Sequence, residues 1–296
     1  MKRLLALLLG FVIALVNVTD LQSEQSELRQ IGTSTNGYPI EAYRFGSGWR
    51  RVIFVGGIHG GYERNTIELA WQMIEHFRAH PALVPEAVTV EIVPVANPDG
   101  LIKVVGTLER NKVTRPAIVR DPYVGRFNGN NIDLNRNWDC QWSALAQGPR
   151  GRVSGGSAAM SEVETRALAD YLADPSTVGV VFWHSSANGV YAGGCDGPFP
   201  AAERLAQSYA DGSGYPLRSA FTAYSISGDG TNWLALQGIP AITIELRTQV
   251  LPEFEQNLRG VLAVLDYFSK DSTLCTSVKI GQLYAKPAPC KTWLQP

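Results

Sequence analysis

A strand–helix–strand pattern near the amino terminus constrains the fold more than any other feature of this sequence. Val52–Val55 is a short apolar run that is typical of a buried strand, and Gly56 and Gly57 end it. Arg64–Ala79 then places apolar residues on one helical stripe, and Ala87–Val95 is a second apolar run rich in β-branched residues. Strands joined through a helix are parallel, so this pattern predicts an α/β fold.

Later segments continue the same alternation. Further strands are predicted at Val178–Trp183 and Pro240–Leu246, and further helices at Ala201–Ala210 and Glu253–Phe268. Two strands around a turn are predicted within Glu27–Phe45. Because the chain has 296 residues and no segment that resembles a linker, we expect one α/β domain. Its sheet should be twisted, mixed and mostly parallel, with helices on both faces.

Two short motifs predict local structure between these elements. Asn97–Gly100, with the sequence NPDG, is a strong turn signal, and the long segment Leu101–Asn131 after it has no clean period. Ser161 and Glu164 have the spacing of a capping box, which predicts a helix that runs to about Leu172.

The composition is that of an ordinary soluble globular chain. Hydrophobic residues make up 45% of it and charged residues 18%, and the net charge is −1. The sequence contains no block of basic residues. It therefore indicates neither nucleic acid nor an anionic membrane surface as a partner.

The first 21 residues differ from the rest. Lys2 and Arg3 precede Leu4–Val16, an apolar run of the length found in signal peptides and too short for a good membrane-spanning helix. We predict a signal peptide at residues 1–21, with an uncleaved anchor as the alternative, followed by a folded domain at 22–270 and a tail at 271–296. This organisation predicts a secreted, periplasmic or cell-surface protein.

Side chains with metal-binding chemistry follow two of the predicted strands. His59 and Glu63 come after Val52–Val55, and His184 comes directly after Val178–Trp183. Ligands bind at the carboxyl ends of the strands in open α/β sheets. The imidazole of His59 and the carboxylate of Glu63 would supply two thirds of a His₂Glu zinc site of the catalytic kind, which leaves a position open for water. The alternative for His59 and Glu63 is a polar loop with a chance pair of such residues.

Several separated motifs occur in an order that resembles the zinc metallocarboxypeptidase family. The resemblance extends from about Gly32 to Phe268. Its motifs are NPDG at Asn97–Gly100, DLNRNWD at Asp133–Asp139, SEVETRAL at Ser161–Leu168, the strand-end pair His184 and Ser185, and ITIELR at Ile242–Arg247.

The resemblance implies a zinc-dependent carboxypeptidase in which His59, Glu63 and His184 hold one Zn²⁺, with water as the fourth ligand. The family usually places two residues between the first histidine and the glutamate, whereas three lie between them here. We interpret the extra residue, a glycine, as a loop insertion, because glycine accepts unusual backbone angles.

The resemblance also assigns the catalytic side chains. Glu245 occupies the position of the general base, and Arg126 that of the arginine that stabilises the developing oxyanion. The alternative for Glu245 is a buried carboxylate paired with Arg247. The alternative for Arg126 is a solvated loop arginine, with Arg120 as a nearby competitor for the role.

The resemblance places the substrate-binding side chains on the segments that follow. Asn135 and Arg136 would bind the terminal carboxylate of a peptide, which a planar guanidinium suits better than an ammonium group does. Tyr224 would cover the bound substrate, or else be a surface tyrosine on a flexible loop. Thr231 would lie at the base of the side-chain pocket, and Asp229 would add a negative charge to its wall. We therefore expect tolerance for a basic or diamino-acid side chain.

The four cysteines allow three pairings, and an oxidising compartment would favour disulfides. We expect Cys140 to pair with Cys195, because both lie next to motifs assigned to one site, and Cys275 to pair with Cys290 in the tail. Buried free thiols are the alternative.

These features together predict an exported zinc carboxypeptidase that releases C-terminal residues from peptides. A peptidoglycan stem-peptide amidase or endopeptidase on the same scaffold is the second hypothesis, with muropeptides as its substrates. A non-catalytic binding relative is the third.

Overall fold

An eight-stranded mixed sheet lies at the centre of the computed structural model, which describes residues 27–114 and 116–270. The predicted signal segment and the Cys275–Cys290 pairing lie outside the described residues. The sheet strands are β1 (Glu27–Thr33), β2 (Pro39–Phe45), β3 (Arg50–Val55), β4 (Val88–Val93), β7 (Thr177–Ser185), β8 (Gly189–Ala192), β9 (Leu217–Arg218) and β10 (Ala241–Leu246). A separate hairpin consists of β5 (Leu145–Gly148) and β6 (Gly151–Ser154).

The strand order across the sheet is β1-β2-β4-β3-β7-β10-β8-β9. The pairs β4/β3, β3/β7, β7/β10 and β8/β9 are parallel, and the pairs β1/β2, β2/β4 and β10/β8 are antiparallel. The prediction of a mixed, mostly parallel sheet is confirmed. The carboxyl ends of β3, β7 and β10 therefore lie side by side at one edge.

Helices cover both faces of this sheet, as predicted. They are α1 (Arg64–Ala79), α2 (Pro98–Val105), α3 (Val163–Leu172), α4 (Pro200–Ser213), α5 (Gly230–Leu236) and α6 (Phe254–Lys270). Residues of α1, α4 and α6 pack on one face with Val52 and Phe54 of β3. Residues of α3 and α5 pack on the other face with Ile53 and Val55. Successive residues of a strand point to opposite faces, so β3 is buried on both sides and is apolar throughout its second half.

The predicted turn at Asn97–Gly100 is wrong, because this segment begins helix α2. The side chain of Asn97 accepts a hydrogen bond of 2.9 Å from the backbone N–H of Gly100, and Pro98 lies in the first helical turn. An asparagine that caps a helix followed by proline at its first position has the same local sequence as a turn. The segment 101–131 therefore contains most of α2.

The predicted capping box is also wrong, although the helix that it was meant to open is present. Helix α3 begins at Val163 without a side-chain cap. The hydroxyl of Ser161 donates to the carboxylate of Glu162 at 2.8 Å, and the carboxylate of Glu164 accepts a bond of 2.8 Å from the backbone of Thr35. Ser161 therefore bonds to its neighbour in the chain and Glu164 makes a tertiary contact, in place of the reciprocal bonds that their spacing suggested.

Candidate active site

The ends of β3 and β7 bring His59, Glu63 and His184 together. Strand β3 is followed by a short 3₁₀-helix, Gly60–Glu63, which turns the chain toward α1. Gly60 has a φ of +46°, and a Cβ atom there would lie 2.6 Å from the carbonyl oxygen of Gly125. This turn needs a glycine for its backbone angle and for its close approach to a neighbouring loop. His184 lies in β7, the neighbour of β3 in the sheet.

The three predicted metal ligands face one another at short distances. Nδ1 of His59 lies 2.8 Å from Oε1 of Glu63, and Nδ1 of His184 lies 3.2 Å from both Oε2 of Glu63 and Nδ1 of His59. One ligand atom from each side chain lies within 4.8 Å of the others, and all three side chains are buried. Two imidazoles and one carboxylate that converge in this way fit a zinc ion with one open coordination position.

Glu63 is held in the charged form that a ligand requires. Burial alone would raise the pKa of this carboxyl group, but the neighbouring His59 and His184 hold the pKa well below its usual range. The backbone N–H of Ser185 donates a further hydrogen bond of 3.2 Å to Oε2. Hydrogen bonds to an ionised carboxylate favour that form. The longer spacing between His59 and Glu63 therefore still permits a complete ligand set.

Asp133 supports this site, although the sequence analysis did not assign it a role. Its Oδ1 lies 3.3 Å from Nε2 of His59, on the side of the ring opposite to Glu63. A carboxylate in this position fixes the ring orientation of a metal-binding histidine. The signal that would have identified it was available, since Asp133 is the first residue of the DLNRNWD motif.

Arg126 is buried beside the metal ligands, so the alternative of a solvated loop arginine is wrong. Its side chain is 2% exposed, and its Nε donates a 2.7 Å hydrogen bond to Asp133. Nη1 lies 3.7 Å from Oε1 of Glu63, and Nη2 is buried without a hydrogen-bond partner. Burial disfavours the charged guanidinium, but Asp133 and Glu63 raise the pKa of Arg126 above its usual value. An unpaired buried donor is costly, so Nη2 is available for an oxygen atom of a substrate.

Asn135, Asp229 and Thr231 form one hydrogen-bonded group at the start of α5. Nδ2 of Asn135 donates to Oδ2 of Asp229 at 2.8 Å. Oδ1 of Asp229 accepts bonds from the N–H and hydroxyl of Thr231 at 2.9 and 2.6 Å, and from the N–H of Asn232 at 3.1 Å. Both oxygens of Asp229 are therefore engaged in capping the helix and in holding Asn135.

Arg136 carries a charge that no acidic side chain of the described residues neutralises within 4 Å. Its Nε donates to the carbonyl oxygen of Gln147 at 2.8 Å, and its Nη1 donates to that of Asn135 at 2.5 Å. The guanidinium carbon lies 5.7 Å from the centre of the Tyr224 ring. Backbone carbonyls orient this guanidinium without cancelling its charge, which leaves it suited to an anionic ligand.

Glu245 lies beside the metal-ligand group, in register with His184 on the neighbouring strand. Its Oε2 accepts a 3.0 Å hydrogen bond from the N–H of Ala187, and burial raises the pKa of Glu245 to about 7. Arg247 lies 3.6 Å from Glu253 instead. The alternative of a Glu245–Arg247 ion pair is therefore wrong.

One cavity of about 400 Å³ contains every site residue predicted from the sequence. These residues are His59, Glu63, Arg126, Asn135, Arg136, His184, Tyr224, Asp229, Thr231 and Glu245. The competitor Arg120 is not among the lining residues. Tyr191 and Arg218 line the cavity as well, and no sequence motif had drawn attention to them.

A disulfide bond joins Cys140 and Cys195, which confirms the predicted pairing. The Cα atoms are 5.9 Å apart. The carbonyl oxygen of Cys140 accepts a 2.8 Å bond from the N–H of Gly228, and the carbonyl oxygen of Gly228 accepts a 3.1 Å bond from Trp138. The disulfide therefore anchors the segment that follows Arg136, and the backbone bonds join this segment to the loop that leads to α5.

The match to a family model agrees with the fold and with this group of side chains. The model described as zinc carboxypeptidase matches residues 13–258, and the chain belongs to that family.

Individual relatives are distant. The chain is 23% identical over 211 residues to gamma-D-glutamyl-L-diamino acid endopeptidase 1 of Lysinibacillus sphaericus, with 64% of this chain and 53% of that protein covered. It is 28% identical over 204 residues to carboxypeptidase B of Bos taurus, with 60% and 48% covered. The chain thus spans about half the length of these curated relatives. The crystal structure of thrombin activatable fibrinolysis inhibitor has the same fold, with a TM-score of 0.66, 18% identity, and 83% of this chain and 70% of that chain covered.

Proposed function

We propose that this protein is an exported carboxypeptidase that releases C-terminal residues from peptides with the help of one zinc ion. The observation that carries the proposal is the convergence of His59, Glu63 and His184 within 4.8 Å, in the same cavity as Glu245 and Arg136. The donor set fits zinc, and the cavity holds both a proton acceptor and an unneutralised guanidinium.

Glu245 acts as the general base in this proposal. His59, Glu63 and His184 would hold the zinc ion, which would lower the pKa of a water molecule in the cavity. Glu245 would accept a proton from water and return it to the leaving amine. A carboxyl group whose pKa is raised by burial suits both steps, because it binds and releases a proton near neutral pH.

Arg126 and Arg136 bind different negative charges of the substrate, the developing oxyanion and the terminal carboxylate. The unpartnered Nη2 of Arg126 stabilises the charge that develops on the oxygen of the scissile carbonyl. Arg136, together with Asn135, binds the terminal carboxylate of the substrate. This second contact requires a free C-terminus and makes the enzyme an exopeptidase.

Tyr224 and Thr231 complete the substrate site. Tyr224 is half-buried at the cavity wall and closes over the bound residue, and Thr231 lies at the base of the side-chain pocket. Asp229 contributes by holding Asn135 and the start of α5, since its oxygens are already engaged.

The test compares peptides that differ only at the C-terminus. A peptide with a free C-terminal carboxylate should be shortened by one residue, and its C-terminal amide should be cleaved far more slowly. Chelation should abolish the activity and added zinc should restore it. Glu245→Gln should abolish activity while zinc binding remains. Equal cleavage of the acid and the amide, or full activity in Glu245→Gln, would contradict the proposal.

Peptidoglycan stem peptides are the second candidate substrate. The observation in favour is the similarity to gamma-D-glutamyl-L-diamino acid endopeptidase 1, whose name describes a bond next to a diamino acid. Muropeptides belong in the same assay as ordinary peptides. Cleavage of an internal muropeptide bond without any release of C-terminal residues would favour this candidate.

Export rests on two features. Residues 1–21 have the charge and length pattern of a signal peptide, and the Cys140–Cys195 disulfide suits an oxidising compartment. Within the part of the chain that the structure describes, no helix is long and apolar enough to cross a membrane. Recovery of the protein outside the cytoplasm, with its first residues removed, is the expected result of fractionation followed by N-terminal sequencing.

A further inference from the structure

Arg218 is a second arginine of the active-site cavity whose charge is not neutralised. It ends strand β9 and pairs in register with Tyr191 of β8. Its side chain is exposed, and its Nη2 donates a hydrogen bond of 3.4 Å to the carbonyl oxygen of Asn188. No acidic side chain of the described residues lies within 4 Å of it.

The aliphatic part of the Arg218 side chain lies over Gly189 of β8, the strand that pairs with the strand of Glu245. A Cβ atom at Gly189 would come within 2.6 Å of Cγ of Arg218, and Gly189 is in register with Glu245. Burial raises the pKa of Tyr191, Glu245 raises it further, and Arg218 lowers it. The guanidinium and the Glu245 carboxylate are thus both close enough to act on the same phenol. Gly189 leaves room for the arginine stem, which places its charge at the mouth of the cavity.

The other two arginines that line the cavity, Arg126 and Arg136, already have partners or assigned ligands. Arg126 is paired with Asp133, which lies behind the metal ligands. Arg136 has no acidic partner, but the proposed function assigns it to the terminal carboxylate of the substrate. One carboxylate binds to the paired N–H groups of one guanidinium. Arg218 therefore remains available for another anionic group.

We propose that Arg218 is a specificity-determining residue that binds a second carboxylate of the substrate, one borne by the side chain of a residue next to the scissile bond. This inference rests on the proposed function, because it takes the terminal carboxylate to be bound by Arg136. It differs from the preference for basic side chains expected from the sequence. That expectation relied on Asp229, whose oxygens are engaged in the structure.

The test measures binding, so that it does not depend on turnover. Short N-blocked peptides with a free C-terminus carry either Glu or its neutral isostere Gln, at the last position or at the one before it. Calorimetry in the Glu245→Gln background, loaded with zinc, gives the dissociation constant of each peptide. We expect tighter binding of the Glu peptide at one of the two positions, by up to about 5-fold, which is the upper end of the range for an exposed ion pair.

Variants of Arg218 assign that preference to its charge. Arg218→Gln should remove the difference between the Glu and Gln peptides, and Arg218→Glu should reverse it. Arg259→Gln is the matched control, since Arg259 is an exposed arginine of α6 that does not line the cavity. A Glu-to-Gln ratio of one in the parent protein, or a preference that survives in Arg218→Gln, would overturn the inference. Failure of the proposed function would appear separately, as equal cleavage of free and amidated peptides by the wild-type enzyme.

Discussion

Asp133 holds two side chains of the active site at once. It contacts Nε2 of His59 and Nε of Arg126, and it also accepts a 3.1 Å bond from the N–H of Asn135. Burial would raise the pKa of Asp133, but Arg126 and His59 hold it well below its usual range. This supporting contact explains why Asp133, which is not one of the three metal ligands, is charged and fully buried beside them.

Replacement of Asp133 by Asn should therefore weaken metal binding without removing a ligand. Loss of such a support typically costs about 10- to 100-fold in metal affinity, and we expect a decrease of that size. Competition with a chromogenic zinc chelator gives the affinity. Asp211→Asn, an exposed position on α4, is the control that should leave it unchanged. An unaltered zinc affinity in Asp133→Asn would contradict this assignment.

The pH dependence of the reaction should reflect Glu245. Burial raises the pKa of Glu245 from its ordinary value of 4.5 to about 7, and a nearby cation lowers the pKa of a carboxyl group. As the proposed general base, Glu245 must be ionised, so kcat/KM should fall as the pH falls through a value between 4.5 and 7. A pH–rate profile of the zinc-loaded enzyme measures this limb. A kcat/KM that stays constant across that range would show that another group accepts the proton.

The ten site residues predicted from motifs and from the family resemblance line one cavity, whereas Asp133 and Arg218 were not among the predicted site residues. His59, Glu63 and His184 have metal-binding chemistry and occur at strand ends, where a pattern can be recognised. Arg218 comes from a two-residue strand, and such a strand has no period to detect. The DLNRNWD motif marks Asp133 as a residue of interest, but its contacts with His59 and Arg126 form only when the loops meet in the folded protein.

At the scale of single elements, prediction succeeded where burial imposes a pattern. Helix α1 has the predicted bounds, and the ends of strands β4, β7 and β10 differ from prediction by at most two residues. The four-residue strand β8 and the β5–β6 hairpin were not predicted, because their burial patterns are short. Helix α2 was missed because its capping sequence is also a turn sequence.

The turn between β3 and α1 should tolerate no side chain at Gly60. Alanine there would adopt a disfavoured positive φ and would also meet the backbone of Gly125. Gly214 has a φ of +74° with nothing within 4 Å of its absent Cβ, so Gly214→Ala reports the cost of the backbone angle alone. We expect Gly60→Ala to lower Tm more than Gly214→Ala does, and to weaken zinc binding as well. Equal effects of the two variants would contradict the close approach seen here.

The disulfide between Cys140 and Cys195 should stabilise the molecule and also position its substrate site. A sequence separation of 55 residues corresponds to about 4 kcal/mol of stabilisation in the chain-entropy model. Removal of both cysteines by Cys140→Ser and Cys195→Ser should lower the free energy of unfolding by up to this amount. Because the Cys140 segment supports the loop that leads to α5, KM should rise more than kcat falls. Urea unfolding and steady-state kinetics measure the two effects, and an unchanged KM would limit the disulfide to stability.

At the scale of the whole molecule, the active site joins segments that are far apart in the chain. His59 and Glu63 follow β3, and His184 lies near the end of β7, more than a hundred residues later. Adjacent parallel strands bring these segments to one edge of the sheet, where two imidazoles and a carboxylate face each other. An ion bound there would connect the two strand ends directly.

Zinc removal should therefore lower the stability of the entire fold. A ligand present at a thousand times its dissociation constant stabilises the native state by about 4 kcal/mol, which corresponds to roughly 10 °C in Tm for a domain of this size. Thermal unfolding with and without a chelator should show a decrease of this order, reversed by added zinc. His184→Ala should unfold at a Tm that no longer depends on zinc, whereas His80→Ala, at an exposed position after α1, should keep the dependence. A zinc-dependent Tm that persists in His184→Ala would place the stabilising ion elsewhere in the protein.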